Sequence, residues 1–287
     1  MIRLTQYLLT GFVWLGGAAT ALAFVPAVKK SEELVQAAEE QFQVRMHAEL
    51  HRFVRQDASG EVVTGRMFII YRYLEERVDG VFRVLPDGDS PGAVLVMNHP
   101  QGNLPSLFLH EPAAGISKKL PMRERVRKLG PTDWYLEGIY DDDKNPWSWK
   151  PIGFETVRNE RCSVIEGRYT NADLARSSVA SFRRGYLATG RENRRFLRAN
   201  LYDRQGDLLY SLDIPSHIRI PINGRPQLRG NRIHLNDWKA GSTTLLVLDR
   251  GVWDEPLDDK LFSFAFAPKW DTATDEALLA RMAPPGE

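Results

Sequence analysis

His47-Ala48-Glu49-Leu50-His51 gathers the densest set of chemically capable side chains in the sequence. On a strand, residues 47, 49 and 51 share a face, and two imidazoles with a carboxylate could converge there on zinc. The glutamate is displaced by one position from the H-E-x-x-H arrangement of zinc proteases. Alternation with Val44, Met46, Ala48 and Leu50 explains the spacing without a metal, so a polar, solvated face is expected. No metal set is assigned. No nucleophile elbow, phosphate loop or dinucleotide fingerprint occurs, and no catalytic residue or cofactor is assigned. His99 and His110 stand beside turn residues and could act as general bases. Without a nucleophile to serve, they are expected to be ordinary surface histidines. Asp141-Asp142-Asp143 lacks the spacing and terminal glutamate of a calcium loop and reads as solvated loop.

The most distinctive stretch is aromatic: Trp134, Tyr135, Ile139, Tyr140, Trp147 and Trp149, set among Gly130, Pro131, Gly138 and Pro146. Such a loop packs apolar mass over something, as a lid across a hydrophobic cavity or as a plug closing a sheet. Two basic stretches stand out. One is Lys118, Lys119, Arg123, Arg125, Arg127 and Lys128; the other is Arg183, Arg184, Arg191, Arg194, Arg195 and Arg198. They could meet anionic head groups or an acidic partner, or simply be solvated faces balanced by nearby acids.

The elements that must position these groups are mostly strands. Residues 43–50 alternate, and the run from Val62 to Tyr73 is apolar on both faces. Met67, Ile69, Tyr71 and Tyr73 take one side, while Phe68 and Ile70 take the other between Arg66 and Arg72. Both sides of such a strand must be covered. Further strands are expected at 78–85, 93–99, 107–110, 116–120, 149–157, 161–169, 195–202, 208–214, 232–238 and 243–250, separated by turn residues. Helices are expected at 32–42, weakly within 172–191, and at 274–282. That rhythm predicts a large antiparallel sheet, sandwich or barrel in one domain.

The chain has 287 residues and a formal net charge of +1, which gives no overall electrostatic case for nucleic acid. Its one cysteine, Cys162, excludes an internal disulfide and is expected to be a small apolar residue on a strand. Arg3, the uncharged apolar run from Tyr7 to Leu22 and Ala21-Leu22-Ala23 fit a secretory signal peptide cleaved after residue 23. Residues 24–287 are then one exported domain, periplasmic in location. A retained membrane anchor is the alternative.

Three segments carry a resemblance. Arg125-Val126-Arg127, then Gly130-Pro131-Thr132-Asp133-Trp134 and Asp141-Asp142, resembles a basic segment leading to a G-T-D-F-S-Y-E-D-like element. Gly153-Phe154-Glu155-Thr156-Val157 with Arg161-Cys162-Ser163-Val164-Ile165 resembles paired strands. Tyr202 to Gly206, Trp238 to Leu248 and Pro256 to Phe262 resemble a C-terminal half. By order and spacing these are similar to the LolA-like outer-membrane lipoprotein-sorting family. The chain departs from that pattern at Pro131, at Leu136-Glu137-Gly138 and in the arginine-rich sequence after Tyr169.

The resemblance implies a mainly β fold, an incomplete antiparallel β-barrel with helices or loops over an apolar concave face. It implies a non-enzymatic periplasmic carrier for lipid or lipoprotein acyl chains, working with an inner-membrane transporter. Met67, Ile69, Tyr71 and Tyr73 are then the expected cavity wall, and Trp134, Tyr135, Ile139 and Tyr140 the expected lid. Two other functions fit the same fold: a non-catalytic envelope interaction or sensor domain, and a lipid-ester hydrolase using His99 or His110.

Overall fold

The computed structural model describes residues 44–86, 92–100, 105–121, 124, 126–136, 147–170, 172–188, 195–222 and 225–285. Six strands come first: β1 (Met46–Gln56), β2 (Val62–Tyr73), β3 (Arg77–Val84), β4 (Ala93–Pro100), β5 (Ser106–Glu111) and β6 (Ile116–Lys119). Seven follow: β7 (Trp147–Val157), β8 (Glu160–Tyr169), β9 (Phe182–Ala188), β10 (Phe196–Tyr202), β11 (Leu208–Ile222), β12 (Arg225–Asp237) and β13 (Ser242–Trp253). All thirteen lie in one sheet, ordered β6-β5-β4-β3-β2-β1-β13-β12-β11-β10-β9-β8-β7. Every neighbour pair is antiparallel, and the sheet is not closed into a barrel. Two meanders therefore meet at a seam, where β1 pairs with β13 from His47 opposite Trp253 to Gln56 opposite Thr243.

Register sorts side chains onto two faces, because successive residues of a strand point to opposite sides. On one face Phe53, Met67, Ile69, Phe82, Leu95, Met97, Leu107 and Leu109 pack with Leu129 and Leu136 from the 126–136 loop. We call this the loop face. Gly65 lies directly opposite Phe53, whose ring fills the space a Cβ would need. On the other side Ala48, Leu50, Phe68, Ile70, Val81, Val94 and Val96 are covered by Leu257, Leu261, Phe262, Trp270, Leu278 and Met282. This is the tail face. The two-sided apolar pattern of β2 thus has two separate covers. Burying Phe68 and Ile70 contributes about 2 kcal/mol each.

The tail is locked polar as well as apolar. Helix α2 (Thr272–Leu279) is capped by Asp271, whose carboxylate accepts from the Thr274 amide at 2.9 Å. Its Asp275 accepts from Trp270 Nε1 at 2.7 Å and pairs with buried Arg83 at 3.0 Å. Arg72 pairs with Asp79 at 2.7 Å and lies over the Phe262 ring.

The weak helical pattern across 172–191 is corrected. Helix α1 (Ala172–Ser177) is short, and the sequence from Phe182 is strand β9, paired with both β8 and β10. Phe182 and Tyr186, four residues apart, share a face in a strand as well as in a helix, and ladder partners on two sides decide the outcome. β11 and β12 also run further than expected. The helix expected at 32–42 lies outside the described residues, as does the signal-peptide segment.

Candidate functional site

The seam positions β1 between β2 and β13, so its loop-face side chains sit near the middle of the sheet. These are His47, Glu49, His51 and Phe53, and all four are buried. The expected solvated face is therefore corrected: the 47/49/51 set does share a face, but it is the covered one. Alternation tells which residues are opposite one another; it does not tell which side meets water.

Glu49 is the hub. Its carboxylate accepts from Arg229 Nε at 2.8 Å and Arg229 Nη2 at 2.7 Å, a fork delivered from β12 across the seam. Trp253 Nε1 donates to the same carboxylate at 3.1 Å, and His51 Nε2 lies 3.1 Å away. Burial alone would raise the carboxyl, but Arg229 and the His51 hydrogen bond hold it well below the usual carboxylate range. Burial lowers the His47 imidazole to about 4. His47 packs on Tyr71 at 5.5 Å and Tyr73 at 6.2 Å between ring centroids. With the carboxylate already committed to Arg229, the cluster is wired as an ion pair. No grouping of three metal-ligating side chains occurs among the described residues.

Beside this polar hub lies the expected wall. Met67 and Ile69 are buried, Tyr71 is half-buried, and Tyr73 is partly exposed at the strand end. Tyr71 meets Phe82 edge-on at 5.6 Å, and Phe82 meets Trp134 at 6.2 Å. Wall and cover are therefore in contact through one aromatic chain.

The cover is held by Asp133. Its carboxylate accepts from Ser242 Oγ at 2.7 Å, Thr244 Oγ1 at 2.9 Å, Lys128 Nζ at 2.7 Å and Arg55 Nε at 3.2 Å. The neighbouring Tyr135 hydroxyl donates to Asp237 at 2.8 Å, and its ring meets Tyr210 edge-on at 5.5 Å. Trp134 Nε1 and the Tyr210 hydroxyl are buried without a hydrogen-bond partner among the described residues. Ile139 and Tyr140 lie outside the described residues, as do Asp141-Asp142-Asp143.

Past the loop, toward β9 and β10, the same face continues apolar. Leu201, Leu212, Ile218 and Ile233 are half-buried there. At the far edge Trp149 and Phe196 flank Ile165 and Leu187, with the Arg183 guanidinium 4.5 Å from the Trp149 ring centroid.

The histidines set aside as surface groups divide. His99 is buried on the loop face and is corrected; His110 is half-buried, 3.2 Å from Ser117 Oγ. Cys162 is buried in a strand, as its type suggested. Basic residues of both stretches find acids nearby, among them Lys118 with Glu124, Arg127 with Glu111 and Arg195 with Glu160. Arg229, the key partner of Glu49, gave no sequence signal, because its strand begins earlier than turn residues suggested.

No family model matches the sequence, and no curated protein matches it. Solved structures do match. A DUF1329 family protein from Desulfovibrio piger is 15% identical with a TM-score of 0.73, over 84% of this chain and 98% of that one. A Vibrio parahaemolyticus domain assigned to outer membrane lipoprotein sorting is 16% identical with a TM-score of 0.72, over 83% and 98%. A LolA superfamily protein from Nitrosomonas europaea is 16% identical with a TM-score of 0.61, over 81% and 97%.

The fold is LolA-like.

In this LolA-like sheet, β1 with its Glu49–Arg229 pair and the loop pinned by Asp133 share one face. The half-buried apolar residues of β10 to β12 continue that face. Among the described residues no helix is long and apolar enough to cross a membrane.

Proposed function

We propose that the chain is a periplasmic carrier that holds lipid or lipoprotein acyl chains on the loop face and works with an inner-membrane transporter. On this reading the signal peptide directs export, and residues 24–287 act as one non-enzymatic unit. The observation that carries it is the continuity of the apolar face beyond its loop cover, through Leu201, Leu212, Ile218 and Ile233. Each acyl CH₂ buried on such a surface contributes about 0.8 kcal/mol, so a single chain binds without a polar anchor. Met67, Ile69, Tyr71 and Tyr73 are the proposed inner wall, reached when the cover with Trp134, Tyr135, Ile139 and Tyr140 lifts.

The test is native mass spectrometry with lipid extraction after gentle purification, beside titration with a fluorescent fatty acid. Co-purified lipid, lost in Leu212→Glu and Ile218→Glu variants that stay folded, is the expected result. Lipid-free protein with no fatty-acid uptake overturns the proposal.

A second reading, a docking or sensor domain on the same fold, is favoured by the four hydrogen bonds that Asp133 accepts. They suit a fixed plug better than a lid. Hydrogen exchange separates the two, since a plug exchanges with the core and a lid exchanges ahead of it.

A further inference from the structure

On the tail face, beside the C-terminal end of α2, register builds an arginine rung. Arg66 of β2 lies directly opposite Arg52 of β1, Arg52 opposite Val247 of β13, and Val247 opposite Arg232 of β12. Like charges placed directly across a ladder destabilise a sheet. One acid answers them. Asp249 is the residue skipped by the register shift between β1 and β13, and it takes Arg52 in a 2.6 Å ion pair. Arg66, Arg232 and Arg250 have no ion pair among the described residues. Arg52, Arg66 and Arg250 also line a cleft of about 520 Å³ with Asp249, Leu50 and Leu279.

Apolar side chains lie next to this charge. One rung along, Val54 is 43% exposed; one further, Val62 is 55% exposed. Trp238, 58% exposed, leans over the same face with its Nε1 donating to Ser211 Oγ at 3.2 Å. Among the described residues, Val62 and Trp238 are the two most exposed of the large hydrophobic side chains. At about 4.8 Å per strand, the patch from β2 to β12 spans about 14 Å.

We propose that this tail-face patch docks the protein onto an anionic bilayer surface. Arg52, Arg66, Arg232 and Arg250 meet lipid phosphates, while Trp238, Val54 and Val62 enter the head-group layer. Charge chooses the partner, since among the described residues of this patch four arginines face a single carboxylate, that of Asp249. An exposed tryptophan on the same face as a row of arginines is a combination that settles at a membrane interface, where the ring enters and the cations stay with phosphate. The acyl-carrying loop face is on the opposite side of the sheet, so docking does not depend on the carrier reading.

The experiment is vesicle co-sedimentation of the full chain with phosphatidylcholine alone and with phosphatidylglycerol mixed in, at low and high salt. Any contribution from the apolar N-terminal run is common to all arms, and the phosphatidylglycerol-dependent increment is what is read. Wild type is expected to bind the anionic vesicles more tightly and to be released by salt. Arg66→Gln with Arg232→Gln, neither of which breaks an ion pair, is expected to weaken that increment about 25-fold. This follows from about fivefold per basic side chain. Trp238→Ser is expected to lower affinity with the salt dependence unchanged. Equal binding by wild type and the double arginine variant overturns the proposal, as does binding indifferent to phosphatidylglycerol. So does a patch that binds polyglutamate but not vesicles, which would make it a docking face for an acidic protein.

Discussion

Glu49 and Arg229, 180 positions apart in sequence, meet through two hydrogen bonds of 2.8 and 2.7 Å across the seam of the sheet. The carboxylate is buried and the guanidinium side chain is 26% exposed. Removing one member of such a pair strands the other. Arg229→Met is expected to lower stability by about 3 kcal/mol. Adding Glu49→Gln to Arg229→Met is expected to recover much of that loss. Urea denaturation of the single and double variants measures the coupling.

The imidazole of His47 titrates at about 4 in the folded protein against 6.5 ordinarily, because burial disfavours its charged form. The unfolded chain therefore takes up a proton between those values and the folded one does not. Stability is expected to fall as pH drops from 6.5 toward 4, by about 3 kcal/mol for this residue. His217, lowered to about 4 by burial and by the Arg195 guanidinium, adds a loss of the same sign. Denaturation midpoints from pH 8 to 4 should flatten in His47→Gln.

Asp133 ties the 126–136 loop to β13 and β1. Burial would raise its carboxyl, and hydrogen bonds from Lys128, Ser242 and Thr244 bring it below the ordinary value instead. Asp133→Ala leaves Arg55 and two hydroxyls without their acceptor, while Lys128 keeps Asp237 at 2.9 Å, and is expected to cost about 3 kcal/mol. Hydrogen exchange at residues 129–136 should accelerate. Uptake of a fluorescent fatty acid should speed up if this loop is the gate.

Trp270 fills the tail face and donates to Asp275, which holds Arg83. Trp270→Ala is expected to lose about 4 kcal/mol through the cavity and the loosened ion pair. Dye binding to the newly exposed Phe68 and Ile70 surface would report it.

Much of this was legible from residue pattern. β2 runs from Val62 to Tyr73, the span its alternation predicts, and its apolar residues on both sides do require two covers. The turn residues marked the strands well where both neighbours were short. Other features were hidden for physical reasons. β11 and β12 run through prolines that a strand usually avoids: Pro215 falls in the register shift between Asp213 and Ser216, and Pro221 lies opposite Pro226. β9 was masked by a spacing that fits helix and strand alike. The buried state of His47, Glu49 and His51 depends on Arg229 and on the loop, both distant in sequence. No local period carries that information.

The seam between β1 and β13 has a kinetic consequence. A ribosome makes β1 long before β13, and in that interval one whole edge of β1 offers bare amides and carbonyls to any passing strand. Each meander forms from local hairpins, while joining them closes a loop of about 200 residues, which is a late and slow event. Newly made chains would depend on escort until that last ladder zips, and a permutant that runs from the end of the tail into β1, so that β13 and β1 are made in succession, should fold without waiting.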